Sequence, residues 1–218
     1  MRPVVLLPGL VLACTLHGDG QSGEQSRELP FFDVVEVFDD FTVALAVDPG
    51  LPAGEKIRVE VRGDANALDR LFTQVHAEDT LAVNVDPNHL TQLSLVPELR
   101  ARVPGLTRVY ATDASVLEVS GAREALALEL HGSAALTLRD AQALTLDVVA
   151  ADAAALTLVG SGPALALATS GAATVDARGF AAETVTVDAQ GSGEVRVCSA
   201  SAAKIDGPGA EHVVLDCG

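Results

Sequence analysis

The feature that most constrains this chain is a repeat of about 20 residues in its second half. Apolar residues recur at intervals of 19, 20, 19, 20 and 18 residues in one column: Val109, Leu128, Val148, Leu167, Val187 and Ile205. A second column follows at the same intervals: Leu117, Leu136, Leu156, Val175, Val195 and Val213. Because self-similarity at a fixed period is typical of stacked supersecondary units, we predict six stacked units here.

Each unit also carries residues at which the chain can turn. One position between the two apolar columns holds only glycine or aspartate: Asp113, Gly132, Asp152, Gly171, Gly191 and Gly209. A second corner column contains Gly121, Asp140, Gly160, Gly179, Ser199 and Cys217. Glycine best tolerates a left-handed backbone, and aspartate is among the few other residues that accept it. We therefore predict that the corner glycines, including those of Gly191–Gly193, supply a positive φ.

Short strands joined by two or three corners per 20 residues predict one coil of a parallel β-helix. The predicted fold class is all-β, with coils of 19–20 residues, each rising about 4.8 Å above the last. An antiparallel sandwich of hairpins is the alternative, but hairpin proteins rarely keep corner residues in register at nearly constant spacing. The composition favours coils, because the chain is 49% hydrophobic and only 3% aromatic, which suits a core of small aliphatic layers.

The first half of the chain is less regular. The segments 34–47 and 56–63 alternate apolar and polar residues and are predicted strands of the first coils. Further strands are predicted over 80–85 and 98–103. Asp64 is predicted to cap a short helix with the sequence ANALDRLFTQV. Its apolar residues recur at helical spacing: Leu68, Leu71, Phe72 and Val75.

Three features together resemble a known bacterial family. They are the opening FDVVEV at 32–37, the segment GDANALDRL at 63–71, and coils with glycine-rich corners such as Gly191–Gly193. This order resembles the head GIN domain of putative autotransporter adhesins, a family of unknown function. The resemblance covers about residues 29 to 217 and implies a β-helical fold more directly than any activity.

The N-terminus has the layout of a secretory signal. It begins MRPVVLLPGLVLAC, with one basic residue, Arg2, before an apolar run that is too short to span a bilayer. The end of this run, Val11–Cys14, resembles the bacterial lipobox, which implies that the cysteine is acylated and becomes the first mature residue. An ordinary signal peptide cut nearby, with no role for Cys14, is the alternative.

The interpretation of Val11–Cys14 as a lipobox divides the chain into three parts. Residues 1–13 are the predicted lipoprotein signal peptide, residues 14–29 the lipidated cysteine with a flexible polar tether, and residues 30–218 a single domain. The expected location is the bacterial cell envelope, with attachment to the membrane through the N-terminal lipid. Thr15 after the cysteine resembles lipoproteins sorted to the outer membrane.

The charge of the chain excludes one class of partner. Its formal net charge is −16, and removal of Arg2 with the signal peptide gives −17. A nucleic-acid partner is not expected, because phosphate binding needs a basic surface. Protein and glycan ligands remain.

One set of residues could carry chemistry. Asp188 and Asp206 fall in the same outward column of adjacent coils, and Lys204 lies two residues from Asp206 on the same face. Paired carboxylates could bind Ca²⁺ or serve acid–base catalysis, whereas the simpler interpretation is a solvated face neutralised by its lysine. The five histidines do not converge, and the sequence has no His/Cys cluster or phosphate-binding loop, so no metal or cofactor site is predicted. The favoured hypothesis is a lipid-anchored binding or structural module that is not an enzyme, and the alternative is a carbohydrate-active enzyme that uses this acidic column.

The two cysteines near the C-terminus are predicted to form a disulfide. Cys198 lies one position before the second corner of the fifth coil, and Cys217 lies at that corner of the sixth. Stacked positions on adjacent coils lie near the usual Cα separation of a disulfide, about 5.5 Å. Two reduced, buried cysteines are the alternative, which an oxidising compartment disfavours.

Overall fold

The computed structural model describes residues 16–76, 79–86 and 92–216. These residues form one 16-stranded sheet that winds into an all-β solenoid of about five turns. The strands are β1 (Ser22–Leu29), β2 (Val34–Val37), β3 (Thr42–Val47), β4 (Ile57–Asp64), β5 (Leu71–His76), β6 (Thr80–Val85), β7 (Glu98–Val103), β8 (Arg108–Ala111), β9 (Val116–Ser120), β10 (Leu126–Leu130), β11 (Ala135–Gln142), β12 (Thr145–Ala150), β13 (Ala155–Thr169), β14 (Thr174–Ala189), β15 (Val195–Asp206) and β16 (Val213–Leu215).

The predicted register of the second half is confirmed on both faces. In the first apolar column, Leu128 of β10 pairs in parallel with Val109 of β8 and Val148 of β12, and the pairing continues to Ile205. The second column pairs in the same way from Leu117 of β9 to Val213 of β16. The constant period in the sequence therefore indicates stacked turns, because each residue lies beside the residue one period away on the adjacent turn.

The prediction of six coils was wrong, since the solenoid makes about five turns. The last unit is incomplete: after β15 ends at Asp206, only the three-residue strand β16 continues the stack. The described chain therefore stops stacking part-way through the sixth unit.

Inward-facing residues build one continuous core along the rod. Most are Leu, Val and Ala with almost no exposed surface, as the composition predicts. The largest fully buried side chains are Phe32, Phe41 and Phe180. Full burial of one Leu, Val or Phe side chain contributes about 1.5–3 kcal/mol. The repeated layers of the core are therefore the main source of stability.

The corners use two different devices. Four consecutive corners of the first column have the predicted left-handed backbone: Asp113 at φ 59°, Gly132 at 67°, Asp152 at 60° and Gly171 at 66°. Gly191 and Gly193 do not, so the positive φ predicted there was wrong. A Cβ on Gly193 would lie 1.7 Å from the carbonyl oxygen of Ala173 on the turn below. At this corner glycine is required because the stacked backbones approach closely.

The helix predicted after Asp64 is also wrong. Leu68–Arg70 forms a single 3₁₀ turn, and the remaining residues form β5, which pairs antiparallel with β6. Leu71, Thr73 and Val75 alternate with exposed residues and are the more buried side chains of β5. The segment is a strand because its pairing with β6 decides its conformation, although its apolar residues have helical spacing. Asp64 does not cap the turn, because its carboxylate is directed elsewhere.

The N-terminal strands close one end of the solenoid. β2 and β3 stack between β6 and β7 on one side and β8 and β9 on the other, so stacking order differs from chain order. Three antiparallel strands form a cap over the parallel layer of β6 and β7: β5 pairs with β6, β4 pairs with β7, and β1 pairs with β4. Such strands cover a sheet edge that could otherwise pair with another chain. Residues 22–29, which we predicted as part of the tether, form β1 of this cap.

Candidate functional site

A groove of about 560 Å³ lies on the outer face of the sheet near this cap. Its floor is β3, its walls are β4 and β7 on one side and β9 on the other, and the loop 48–56 borders it. Leu51 and Pro52 of that loop contribute apolar surface to the lining. A cavity of this size is in the range that holds small ligands, about 300–1,000 Å³.

The strand register explains why a groove forms here. Of the three outward residues of β3, the two that line the groove are the small Ala44 and Ala46, and the third is Thr42. Ala44 lies directly between Arg100 of β7 and Glu118 of β9. Ala46 in turn lies between Arg102 and Ser120. Cross-strand neighbours lie about 5 Å apart, so larger side chains flank a floor of two methyl groups and leave a depression.

The charges around the groove are unevenly matched. Arg58 pairs with Glu60 at 3.3 Å, and Arg100 pairs with Glu98 at the same distance. Lys56 and Arg102 also line the groove, but neither side chain makes an ion pair or hydrogen bond with the residues that the structure describes. A chain with a net charge of −16 therefore presents, in one groove, two cations that have no ion-pair partner among the described residues.

A row of aromatic rings crosses a different outer face. Phe38 follows β2, Tyr110 lies in β8, and His131 follows β10, so the three rings come from consecutive layers. Ring centroids lie 5.7 Å apart for Phe38 and Tyr110 and 5.6 Å apart for Tyr110 and His131. All three are partly exposed, and partly exposed aromatic rings can offer a contact surface to a ligand.

Glu129 is the charged centre beside this row. Its carboxylate pairs with Nε2 of His131 at 3.1 Å and accepts a hydrogen bond from Arg108 at 2.8 Å. The hydrogen bond with His131 and that from Arg108 lower the pKa of Glu129 below its usual value, despite partial burial. The carboxylate therefore stays ionised and is engaged by two partners.

The predicted acidic column lies on the face that the sequence indicated. Asp188 pairs in register with Asp206 on the next turn, and Nζ of Lys204 lies 2.7 Å from Oδ2 of Asp206. That contact raises the pKa of Lys204, chiefly through its hydrogen bond with Asp206. The amide of Gln190 donates a hydrogen bond to Asp188. The column is thus an exposed surface on which Lys204 and Gln190 engage the two carboxylates.

Two predicted cysteine roles depend on residues outside the described ranges. Cys14, the proposed lipidation site, and Cys217, the proposed partner of Cys198, both lie there. The Cys198–Cys217 disulfide therefore stays a prediction. Over the described ranges, no group of three or more His, Cys, Asp or Glu side chains is arranged to hold a metal ion. The same ranges contain no helical segment with the length and apolar character needed to cross a bilayer.

The family of this chain is identified by a match over most of its length. Residues 31–215 match the family described as "Putative auto-transporter adhesin, head GIN domain". The chain belongs to this family. The resemblance seen in the sequence is thereby confirmed, and the head GIN domain is adhesin-like and of unknown function. It is not a known enzyme family.

Solved structures share the fold of this head GIN domain. One is a putative adhesin from Bacteroides fragilis, with 14% identity and a TM-score of 0.71 over 88% of both chains. Another is a putative adhesin from Parabacteroides merdae, with 10% identity and a TM-score of 0.68 over 92% of this chain and 98% of that one. A putative lipid binding protein from Parabacteroides distasonis has 13% identity and a TM-score of 0.67 over 94% and 97%. Among curated proteins no match was found.

The groove and the aromatic row of this head GIN domain were both missed by sequence reasoning. The row joins Phe38, Tyr110 and His131, which are far apart in sequence and meet only once β2 is known to stack on β8. A weak signal for the groove was present, because the outward residues of β3 include two alanines and those of β7 include two arginines. Their juxtaposition depends on β3 pairing with β7 across 50 residues of chain, which periodicity does not indicate.

Proposed function

We propose that this chain is a lipid-anchored binding module of the bacterial cell envelope, with the groove over β3 as its ligand surface. The observation that carries the proposal is a pair of cations, Lys56 and Arg102, which have no ion-pair partner among the described residues and line a cavity of about 560 Å³ with an alanine floor. Pockets that combine an apolar lining with a few convergent polar groups are the usual form of a binding site. The adhesin-like family supports the same class of function.

The carbohydrate-active enzyme remains the less favoured alternative. Its candidate carboxylates, Asp188 and Asp206, lie on an open surface and are engaged by Gln190 and Lys204. Glycoside hydrolysis instead needs two carboxylates that flank one bond, one of which keeps its proton near neutral pH.

The aromatic row at Tyr110 supplies a second surface for glycan contact, because sugars stack on partly exposed rings.

A paired screen separates binding from catalysis. Residues 16–218 contain every strand and the whole core that the structure describes, so this soluble chain is used for glycan-array binding and for polysaccharide cleavage. We expect retention of at least one ligand without release of products. Ala46→Leu should abolish retention at the groove, and Tyr110→Ala should abolish retention at the aromatic row. Turnover of any polysaccharide that Asp188→Asn abolishes would contradict the binding module.

Lipid anchoring has its own test in the full-length chain. Replacing Cys14 with Ser should move the protein from the membrane fraction to the soluble fraction, because the acylated cysteine is the proposed anchor. The measurement is fractionation of cells labelled with palmitate, with Cys198→Ser as a matched control that should keep both label and membrane association. A wild-type chain that takes up no label, or a Cys14→Ser chain that still sediments with membranes, would contradict the proposal that acylated Cys14 anchors the protein.

A further inference from the structure

We infer that the groove binds an amphipathic monoanion, a carboxylate that carries a medium-length acyl chain. This inference rests on the proposed function, in which the groove is the ligand surface, and it names the chemical class of the ligand. It comes from three observations: two cations without an ion-pair partner among the described residues, the aliphatic character of the floor and bordering loop, and the strongly negative charge of the whole chain.

The cations define the charged end of the ligand. Glu60 and Glu98 engage Arg58 and Arg100, so these two arginines are matched within the protein. Arg102 has no such partner among the described residues, and its guanidinium can form two parallel hydrogen bonds with a carboxylate. Lys56, which is unpartnered in the same sense, adds a second positive charge to the lining.

The rest of the lining defines the apolar end. Ala44 and Ala46 form the floor, and Leu51 and Pro52 contribute from the loop. The residues that line the groove in the described structure include no aromatic side chain on which a sugar ring could stack. Aliphatic surface beside unpartnered cations matches an acyl chain with an anionic head better than a glycan.

The net charge limits the anion to a single charge. At −16, the chain repels anions as they approach, and the repulsion grows with the charge of the ligand. Glu55 also lines the groove, and its carboxylate disfavours a polyanion that would extend beyond Lys56 and Arg102, whereas Glu118 is paired with Arg139 at 3.3 Å. A monocarboxylate gains from the two cations while experiencing the least repulsion.

Calorimetric titration of residues 16–218 with decanoate tests the inference. We expect one saturable site, no binding of acetate, which lacks the chain, and no binding of decyltrimethylammonium, which carries the opposite charge. The double variant Lys56→Gln/Arg102→Gln should weaken decanoate binding by roughly tenfold or more, since hydrogen bonds to charged groups contribute most of the head-group affinity. Lys204→Gln/Arg123→Gln changes two exposed cations elsewhere and should leave the affinity unchanged.

A second pair of variants addresses the floor. Ala46→Leu fills the groove and should remove decanoate binding, whereas Ala166→Leu places the same side chain on an equally half-buried outward position of β13 and should not. Equal binding of decanoate and decyltrimethylammonium, or affinity that none of the groove variants changes, would overturn the inference. If decanoate does not bind but a ligand from the glycan array depends on Ala46, the acyl anion is wrong and the binding module stands. If no ligand depends on the groove, both proposals fail.

Discussion

Gly193→Ala is expected to lower the free energy of unfolding by about 3 kcal/mol, at the upper end of the cost of overpacking a close-packed site. The added Cβ would lie 1.7 Å from the carbonyl oxygen of Ala173 and 2.6 Å from its carbonyl carbon. Both atoms belong to backbone, so two turns must separate to admit one methyl group. Chemical denaturation of the wild-type and variant chains measures the difference.

The matched control is Gly105→Ala. A Cβ at Gly105 would have the Glu124 carboxylate as its nearest neighbour, at 3.6 Å, and this glycine does not have a positive φ. Its stability should stay the same or rise slightly, because alanine restricts the unfolded chain. Equal stability of Gly193→Ala and Gly105→Ala would contradict the close stacking of the turns at this corner.

Asp64→Ala is expected to destabilise the cap by about 3 kcal/mol or more. The Asp64 side chain is only 1% exposed, and its carboxylate accepts hydrogen bonds from the backbone N–H groups of Gly20 at 2.7 Å, Ser94 at 2.8 Å and Leu95 at 3.0 Å. Removing the carboxylate leaves three donors without their acceptor, and unmade buried hydrogen bonds to a charged group are costly. Thermal melts of Asp64→Ala and of Asp147→Ala, an exposed aspartate on β12, measure the effect.

The same carboxylate makes stability depend on pH. Burial alone would raise the pKa of Asp64, but the hydrogen bonds from Leu95, Gly20 and Ser94 outweigh it and lower the pKa below its usual value. Its contribution is therefore complete above the unfolded-state pKa, about 3.9, and is lost as pH falls through the lower folded-state pKa. The stability difference between wild type and Asp64→Ala should shrink below about pH 4. A difference that grows on acidification would contradict this assignment.

The regular half of the solenoid could be predicted because its register is local information. Each residue of the column from Val109 to Ile205 pairs with a residue about 20 positions away, so periodicity alone gives the neighbours. The N-terminal half could not be predicted in this way. Its stacking order depends on β2 pairing with β8 across about 70 residues, and β5 takes its conformation from pairing with β6 rather than from its own apolar spacing.

The candidate site follows the same division. The acidic column at Asp188 and Asp206 lies in the periodic half, and its geometry could be read from the spacing. The groove lies in the non-periodic half, where Ala44 meets Arg100 and Glu118 only through pairing between distant strands. No sequence motif identifies these residues. The alanines of β3 and the arginines of β7 form a groove only because β7, β3 and β9 lie side by side.

The groove as ligand surface is tested most directly by a crystal structure of residues 16–218 with 10-bromodecanoate, from data collected at the bromine absorption edge. The expected result is one anomalous peak over Ala44 and Ala46, with the carboxylate within hydrogen-bonding distance of Arg102. Ala46→Leu should lose the peak, and Ala166→Leu should retain it. A bromine peak away from the groove, or none at a saturating ligand concentration, would contradict the assignment of the groove as the site that binds an acyl anion.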